Sequence, residues 1–128
     1  VLEHGPDRIS PAHHVQLARK VAAEGALVTD LAPGERAAKP DPRAPQKLMA
    51  ALPRALLVFE AGLHSREYQT ARAAGTLGHD VFAIPGSIHA PLARGCHRLI
   101  RDGARLVERV EDIIEESGDK LRERVLTS

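Results

Sequence analysis

Tryptophan is absent from this 128-residue chain, and its aromatics are two phenylalanines and one tyrosine. A core without aromatic bulk must be filled by Ala, Leu, Val and Ile, which suits small helices packed closely on a sheet. Few aromatics also leave little for nucleobases to stack on. One cysteine, Cys96, excludes an internal disulfide and argues for a reducing compartment. There is no apolar run of about 18 residues, so nothing is expected to span a membrane. The start, Val1-Leu-Glu-His, has no basic region followed by an apolar stretch, so no signal peptide is expected. Excess charge is missing too: 18 Lys and Arg stand against 17 Asp and Glu, a net charge of +1. Nucleic-acid binding therefore does not follow from charge alone, and a DNA site would have to be a local patch.

Catalytic and metal patterns are also lacking. Seven histidines are present, but none sits in a His-Glu-x-x-His pattern, and no Cys-x-x-Cys occurs. There is no Gly-x-Gly-x-x-Gly, no phosphate-binding P-loop and no Gly-x-Ser-x-Gly. Cys96 and His97 are neighbours, but adjacent helical residues point in different directions, so Cys96 reads as a buried structural residue. No enzyme activity, cofactor or metal site is expected.

What is present is a globular profile, with 43% hydrophobic and 27% charged residues. The length suits one domain. Val1–Glu3 reads as a strand stub. Pro11 opens a helix to about Ala23, with Leu17, Ala18 and Val21 on one face and Gly25 as its stop. Ala26–Thr29 reads as a short buried strand. A proline-rich loop over 32–45 leads to a helix from Gln46 to Leu52 with Leu48, Met49 and Leu52 inward. The apolar run Ala55-Leu-Leu-Val-Phe59 is the clearest strand. A helix follows from Ser65 to Leu77, with Ser65 as N-cap and Gly78 as stop. Val81–Ile84 is the next buried strand, closed by Pro85-Gly86. Arg94–Arg101 is a helix stopped at Gly103, Ala104–Val107 a short strand, and Val110–Glu116 begins a last helix. Strands alternating with helices argue for parallel βαβ units. The expected fold class is α/β: a three-layer, mostly parallel sheet of about five strands, Rossmann-like but partial. Leu57, Val58, Phe59, Phe82 and Ile84 are its expected core.

Ligands of open α/β sheets sit at the carboxyl ends of the strands. Glu60–Arg66, Pro85–Arg94 and the proline-rich loop before Lys47 fall there. Ser65 and Arg66 open a helix that either holds a phosphate or is simply capped. Gly86 and Ser87 form either a ligand-touching turn or a plain one. Arg94, Arg98 and Arg101 recur at helical spacing as a cationic stripe or a solvated face. Lys39, Arg43, Lys47 and Arg54 make the proline-rich loop and its helix locally basic.

The run Phe82-Ala-Ile-Pro-Gly-Ser-Ile-His-Ala-Pro-Leu-Ala-Arg-Gly-Cys-His-Arg-Leu-Ile-Arg-Asp-Gly-Ala104 resembles the Rossmann-like domain of the DNA-processing protein A (DprA/Smf) family. Val1–His14, Ala23–Asp30, Pro53–Ala61 and Val107–Glu116 resemble further family segments. Two places depart from it. The family's Phe-Pro-Arg-Arg-Asn-Arg stretch is here Asp41-Pro-Arg-Ala-Pro-Gln-Lys47, and its Ser-Gly-Ser-like turn is here Ser65-Arg-Glu-Tyr68. The resemblance implies a cytoplasmic, non-catalytic protein of DNA uptake and recombination that binds single-stranded DNA, loads RecA and forms a homodimer. Its DNA contacts would be Lys39, Arg43, Lys47, Ser65, Arg66, Ser87 and Arg94. Residues 1–118 would form a half-domain lacking the family's first Rossmann half, and 119–128 a helical tail. Two other readings stay open: a scaffold or dimerisation module without DNA binding, and a nucleotide-processing enzyme of the lysine-decarboxylase-like group. That group's Pro-Gly-Gly-x-Gly-Thr turn is absent.

Overall fold

The computed structural model describes residues 1–34 and 43–117. The chain divides into two compact units, Val1–Leu52 and Pro53–Ser128.

In the first unit a 3₁₀ turn, Ala12–His14, leads into helix α1, Val15–Glu24. Pro11 precedes the turn, and Gly25 stops α1 by donating its N–H to the Val21 carbonyl. Leu17 and Val21 were expected to face inward with Ala18, but Ala18 alone is buried and the two larger residues are exposed. The segments 1–3 and 26–29 are not strands. They meet through a hydrogen bond from the Leu2 N–H to the Val28 carbonyl (2.8 Å), too little for a ladder. Thr29 reinforces them, its hydroxyl donating to the His4 carbonyl (2.9 Å) and accepting the Leu31 N–H (3.2 Å). Helix α2, Ala44–Ala51, carries Pro45 in its first turn, where a missing N–H costs nothing. Its buried residue is Ala50; Leu48 is half-buried, while Met49 and Leu52 are exposed, against the expected inward face.

The second unit is built on three parallel strands in the order β1 (Ala55–Val58), β2 (Asp80–Ala83), β3 (Arg105–Leu106). Ala55 to Val58 pair in register with Asp80 to Ala83, and Phe82 and Ala83 pair with Arg105 and Leu106. Helix α3, Arg66–Thr76, crosses from β1 to β2, and α4, Ala93–Arg101, from β2 to β3. This is the expected parallel α/β architecture, with three strands of the five anticipated formed among the described residues. Gly78 (φ 82°) and Gly103 (φ 111°) adopt the left-handed conformation that ends a helix and turns the chain back to the sheet. Residues 110–117 form a last helical segment.

Alternation along the strands sorts the core. Val58 and Ala83, with Leu56 and Val81 beside them, pack on one face against Ala61, Tyr68, Ala71, Cys96 and Leu99. Both helices thus lie on that face. Its buried side chains are mostly small, as a chain poor in aromatics requires. Phe82 is 1% exposed, with the Arg105 guanidinium 5.9 Å from its ring centroid. Val58 is buried as expected, and Leu57 and Ile84 are half-buried. Phe59 is not a core residue: it is 67% exposed. β1 ends at Val58: the Ile84 N–H still donates to the Val58 carbonyl, but the paired residues stop at Val58 and Ala83, so Phe59 lies beyond the ladder.

Candidate nucleic-acid interface

The loops after β1 and β2 converge on the start of α4. The Ala61 N–H donates to the Leu92 carbonyl (2.7 Å), and the Gly95 N–H donates to the Ala61 carbonyl (2.8 Å). Only glycine fits at position 95, because a Cβ there would lie 2.4 Å from the Ala61 oxygen. Gly86 closes the other side, where a Cβ would lie 2.9 Å from that of Ala93. The first turns of α4 are therefore held directly against the carboxyl edge of the sheet. Beneath them Cys96 is fully buried, with Sγ 3.7 Å from the Phe59 carbonyl and 3.9 Å from that of Val58. Burial pushes its thiol up, which keeps it protonated and unreactive.

This seating exposes a cationic face. Arg94, His97, Arg98 and Arg101 of α4, with Leu63 from the loop after β1 and Ile88 from the loop after β2, line a cleft of about 340 Å³. The spacings of three, four and seven residues put the four basic side chains on one side of the helix. Arg98 is paired with Asp102, Nε to Oδ1 at 3.2 Å. Among the described residues Arg94 and Arg101 have no ion pair. No carboxylate lines the cleft. His97 also shapes its rim: Nε2 accepts the Gly86 N–H at 3.1 Å and so anchors the Pro85-Gly86-Ser87 turn.

A larger hollow, about 620 Å³, opens at the amino edge of the strands and shares Arg98 with the cleft. Its arginines are largely answered. Arg98 faces Asp102, and Arg105 pairs with Glu116 and lies 3.9 Å from Asp80. It also lies between the C-terminal ends of α3 and α4, whose carbonyls favour cations. The smaller cleft is the better seat for an anion.

The expected contact residues distribute as follows. Arg94 is in the cleft, and Ser87 is exposed beside its Gly86 and Ile88, its Oγ accepting the His89 N–H at 3.2 Å. Ser65 is engaged in capping α3: its Oγ accepts the Tyr68 N–H at 3.3 Å. The Glu67 carboxyl is held below its ordinary range by its own backbone N–H and by the Ser65 hydroxyl. Arg66 is exposed in the first turn of α3 and does not line the cleft. Arg43 and Lys47 belong to the first unit, at the start of α2, and are exposed. Lys39 lies outside the described residues. Sequence reasoning missed His97 and Gly95. A glycine inside a helical pattern signals close approach of another backbone, whereas the His97 bond to Gly86 had no signal in the spacing. Among the described residues no cluster of His, Cys, Asp and Glu could hold a metal, and no helix is long and apolar enough to cross a membrane.

The profile of the DNA recombination-mediator protein A family matches residues 1–118. A DNA processing protein DprA of Mycobacterium tuberculosis is 43% identical over 115 residues, 90% of this chain and 30% of the relative. Protein Smf of Escherichia coli is 39% identical over 120 residues, 90% of this chain and 31% of the relative. The crystal structure of DNA processing protein A from Streptococcus pneumoniae superposes with a TM-score of 0.81 at 35% identity, covering 91% of this chain and 41% of that one. The chain thus spans less than half the length of the relatives it matches.

Proposed function

Because this chain belongs to the DNA recombination-mediator protein A family, we propose that it binds single-stranded DNA in DNA uptake and recombination, with RecA as its protein partner and without catalysing a reaction. The observation that carries the reading is the cleft lined by Arg94, Arg98 and Arg101, which runs along α4 from its start at the carboxyl edge of the sheet. Guanidiniums hold phosphates through paired N–H groups and stay charged at every physiological pH. Leu63 and Ile88 give the cleft apolar walls against which a sugar or base edge can lie. The contacts are to the backbone rather than to base identity. Tyr68 is buried in the core and its ring offers no stacking platform. We extend the proposal to DNA contacts by Lys39, Arg43, Lys47, Ser65, Arg66 and Ser87, as the family membership suggests.

We also propose a homodimer in the cytoplasm. Leu106 on β3 and Val110 and Ile114, one turn apart on segment 110–117, are exposed apolar side chains. β3 is an edge of the sheet, and such edges are usually paired or covered.

Fluorescence anisotropy with labelled oligo(dT) at two salt concentrations tests the function. A cleft engaging about three phosphates gives a log–log salt slope near −2, or roughly a 20-fold loss of affinity from 50 to 200 mM salt. Arg94→Ala flattens that slope by about 0.7. Absence of salt-sensitive binding at low ionic strength would hand the chain to the scaffold reading.

A further inference from the structure

His97 is the one cleft residue whose charge is adjustable, and its hydrogen bond defines its state. Nε2 accepts the Gly86 N–H at 3.1 Å, so that nitrogen carries a lone pair and the ring proton sits on Nδ1. Protonation puts two donors, Nε2–H and the Gly86 N–H, face to face across the same 3.1 Å. They must then part or share an acceptor. None of the side chains that line the cleft with His97 is an acceptor; Glu60, in the loop after β1, acts on the neighbouring Cys96 but does not line the cleft, and the Ser87 hydroxyl beside Gly86 is engaged by the His89 N–H. Its own helix presents Arg94, Arg98 and Arg101, and the two loops present Leu63 and Ile88. The nearby carboxylate of Asp102 is engaged by Arg98 and does not line the cleft. An anion entering the cleft provides both things that are missing, an acceptor and a counter-charge.

We propose that protonation of His97 converts the His97–Gly86 contact into an anion seat, in which the imidazolium Nε2–H and the Gly86 N–H jointly hold one phosphate group of the bound strand. The proposal rests on the reading of the cleft as a DNA-phosphate site and adds proton linkage to it. Linkage is reciprocal: a phosphate in the seat favours the protonated ring, and the protonated ring favours the phosphate. DNA binding therefore takes up a proton and tightens as pH falls through the range where imidazoles change charge, about pH 8 to 5. A ring that merely ties the turn in place has the opposite signature. Acid would break its bond to Gly86, loosen the rim and weaken binding.

His97→Gln separates the two. Its amide oxygen reaches a similar position and still accepts the Gly86 N–H, but it does not titrate. Oligo(dT) is the probe, because neither its phosphodiesters nor thymine changes charge over this range. At constant ionic strength, the wild-type chain gains about fivefold or more in affinity from pH 8 to 5.5 beyond any change in His97→Gln. Its salt slope steepens by about 0.7 in acid, and that of the variant does not. Superimposable pH profiles for the two proteins, or a wild-type affinity that falls in acid, overturn the seat while leaving the DNA reading intact. If oligo(dT) binds neither protein at any pH, the DNA reading fails on its own account. The seat is then judged with sulfate, a dianion that does not titrate here, by NMR on the wild-type chain. Sulfate shifting the Gly86 amide and the His97 ring signals together near pH 6, and not at pH 8, supports it. Unmoved signals at both values sink it.

Discussion

Replacing Gly95 by alanine sets helix propensity directly against packing. In an unhindered helix interior the change stabilises by about 1 kcal/mol. Here the new Cβ would stand 2.4 Å from the Ala61 oxygen, where ordinary contact begins near 3.4 Å. The start of α4 must retreat by about 1 Å. Overpacking of this kind costs roughly 1–3 kcal/mol. Retreat also strains the two hydrogen bonds that join Ala61 to α4, from the Gly95 N–H and to the Leu92 carbonyl. Each is worth about 0.5–1.5 kcal/mol. The balance is a net loss of roughly 1–5 kcal/mol. Gly75→Ala in α3 is the matched control, since a Cβ there meets only the Val81 Cγ2 at an ordinary 3.8 Å. It should stabilise by about 0.5–1 kcal/mol. Urea denaturation followed by circular dichroism measures both. If Gly95→Ala is as stable as the wild type, α4 does not approach Ala61 this closely, and the geometry of the arginine cleft falls with it.

Two further outcomes follow from burial and from the hydrogen bonds of the last helical segment. Phe82→Ala empties a site that is 1% exposed and should cost about 3–5 kcal/mol, whereas Phe59→Ala, at 67% exposure, should change stability by less than about 0.5 kcal/mol in the same urea assay. Similar costs for the two would show that the strand is placed wrongly. The backbone N–H groups of Glu108 and Arg109 hold the Asp112 carboxyl below the ordinary Asp range. A depressed carboxyl contributes its stabilisation fully above its unfolded-state value and loses it as pH falls through the lower folded one. Carboxyl-carbon NMR should therefore show Asp112 titrating below the ordinary Asp range, with the helicity of 110–117 falling in the same acid step; an ordinary titration would refute that cap.

The parts of the fold that were legible in the sequence are those whose signals are local. Ser65, Gly78, Pro85-Gly86 and Gly103 each mark the end of an element within a residue or two, and the structure places the ends of α3, β2 and α4 there. Apolar runs name strands but do not say where pairing stops. Ala55–Phe59 reads as five equivalent residues, yet pairing stops at the fourth and the fifth is solvent-exposed. The same limit explains the first unit. Ala26–Thr29 has strand composition, but strand state needs a partner ladder, and Leu2 supplies one hydrogen bond. Helical periodicity also misled in α1, where Leu17 and Val21 share a face with Ala18 but remain exposed.

The site was half legible for a related reason. A net charge of +1 conceals the cleft, because a chain-wide sum has no geometry. Arg94, Arg98 and Arg101 were visible as a stripe, and so was the acid that can neutralise one of them: Asp102 lies four residues after Arg98 and pairs with it. What decides between a solvated face and an anion site is everything brought from elsewhere. Leu63 and Ile88 wall the stripe with apolar surface, and no carboxylate joins the lining. Gly95 and Ala61, 34 positions apart in the chain, hold the first turn of the stripe's helix at the carboxyl edge. The glycine that permits the approach and the histidine that closes the rim carry no charge pattern of their own. Their roles exist only once β1, β2 and α4 are assembled, and they turn three arginines on a helix into a place where a phosphate can sit.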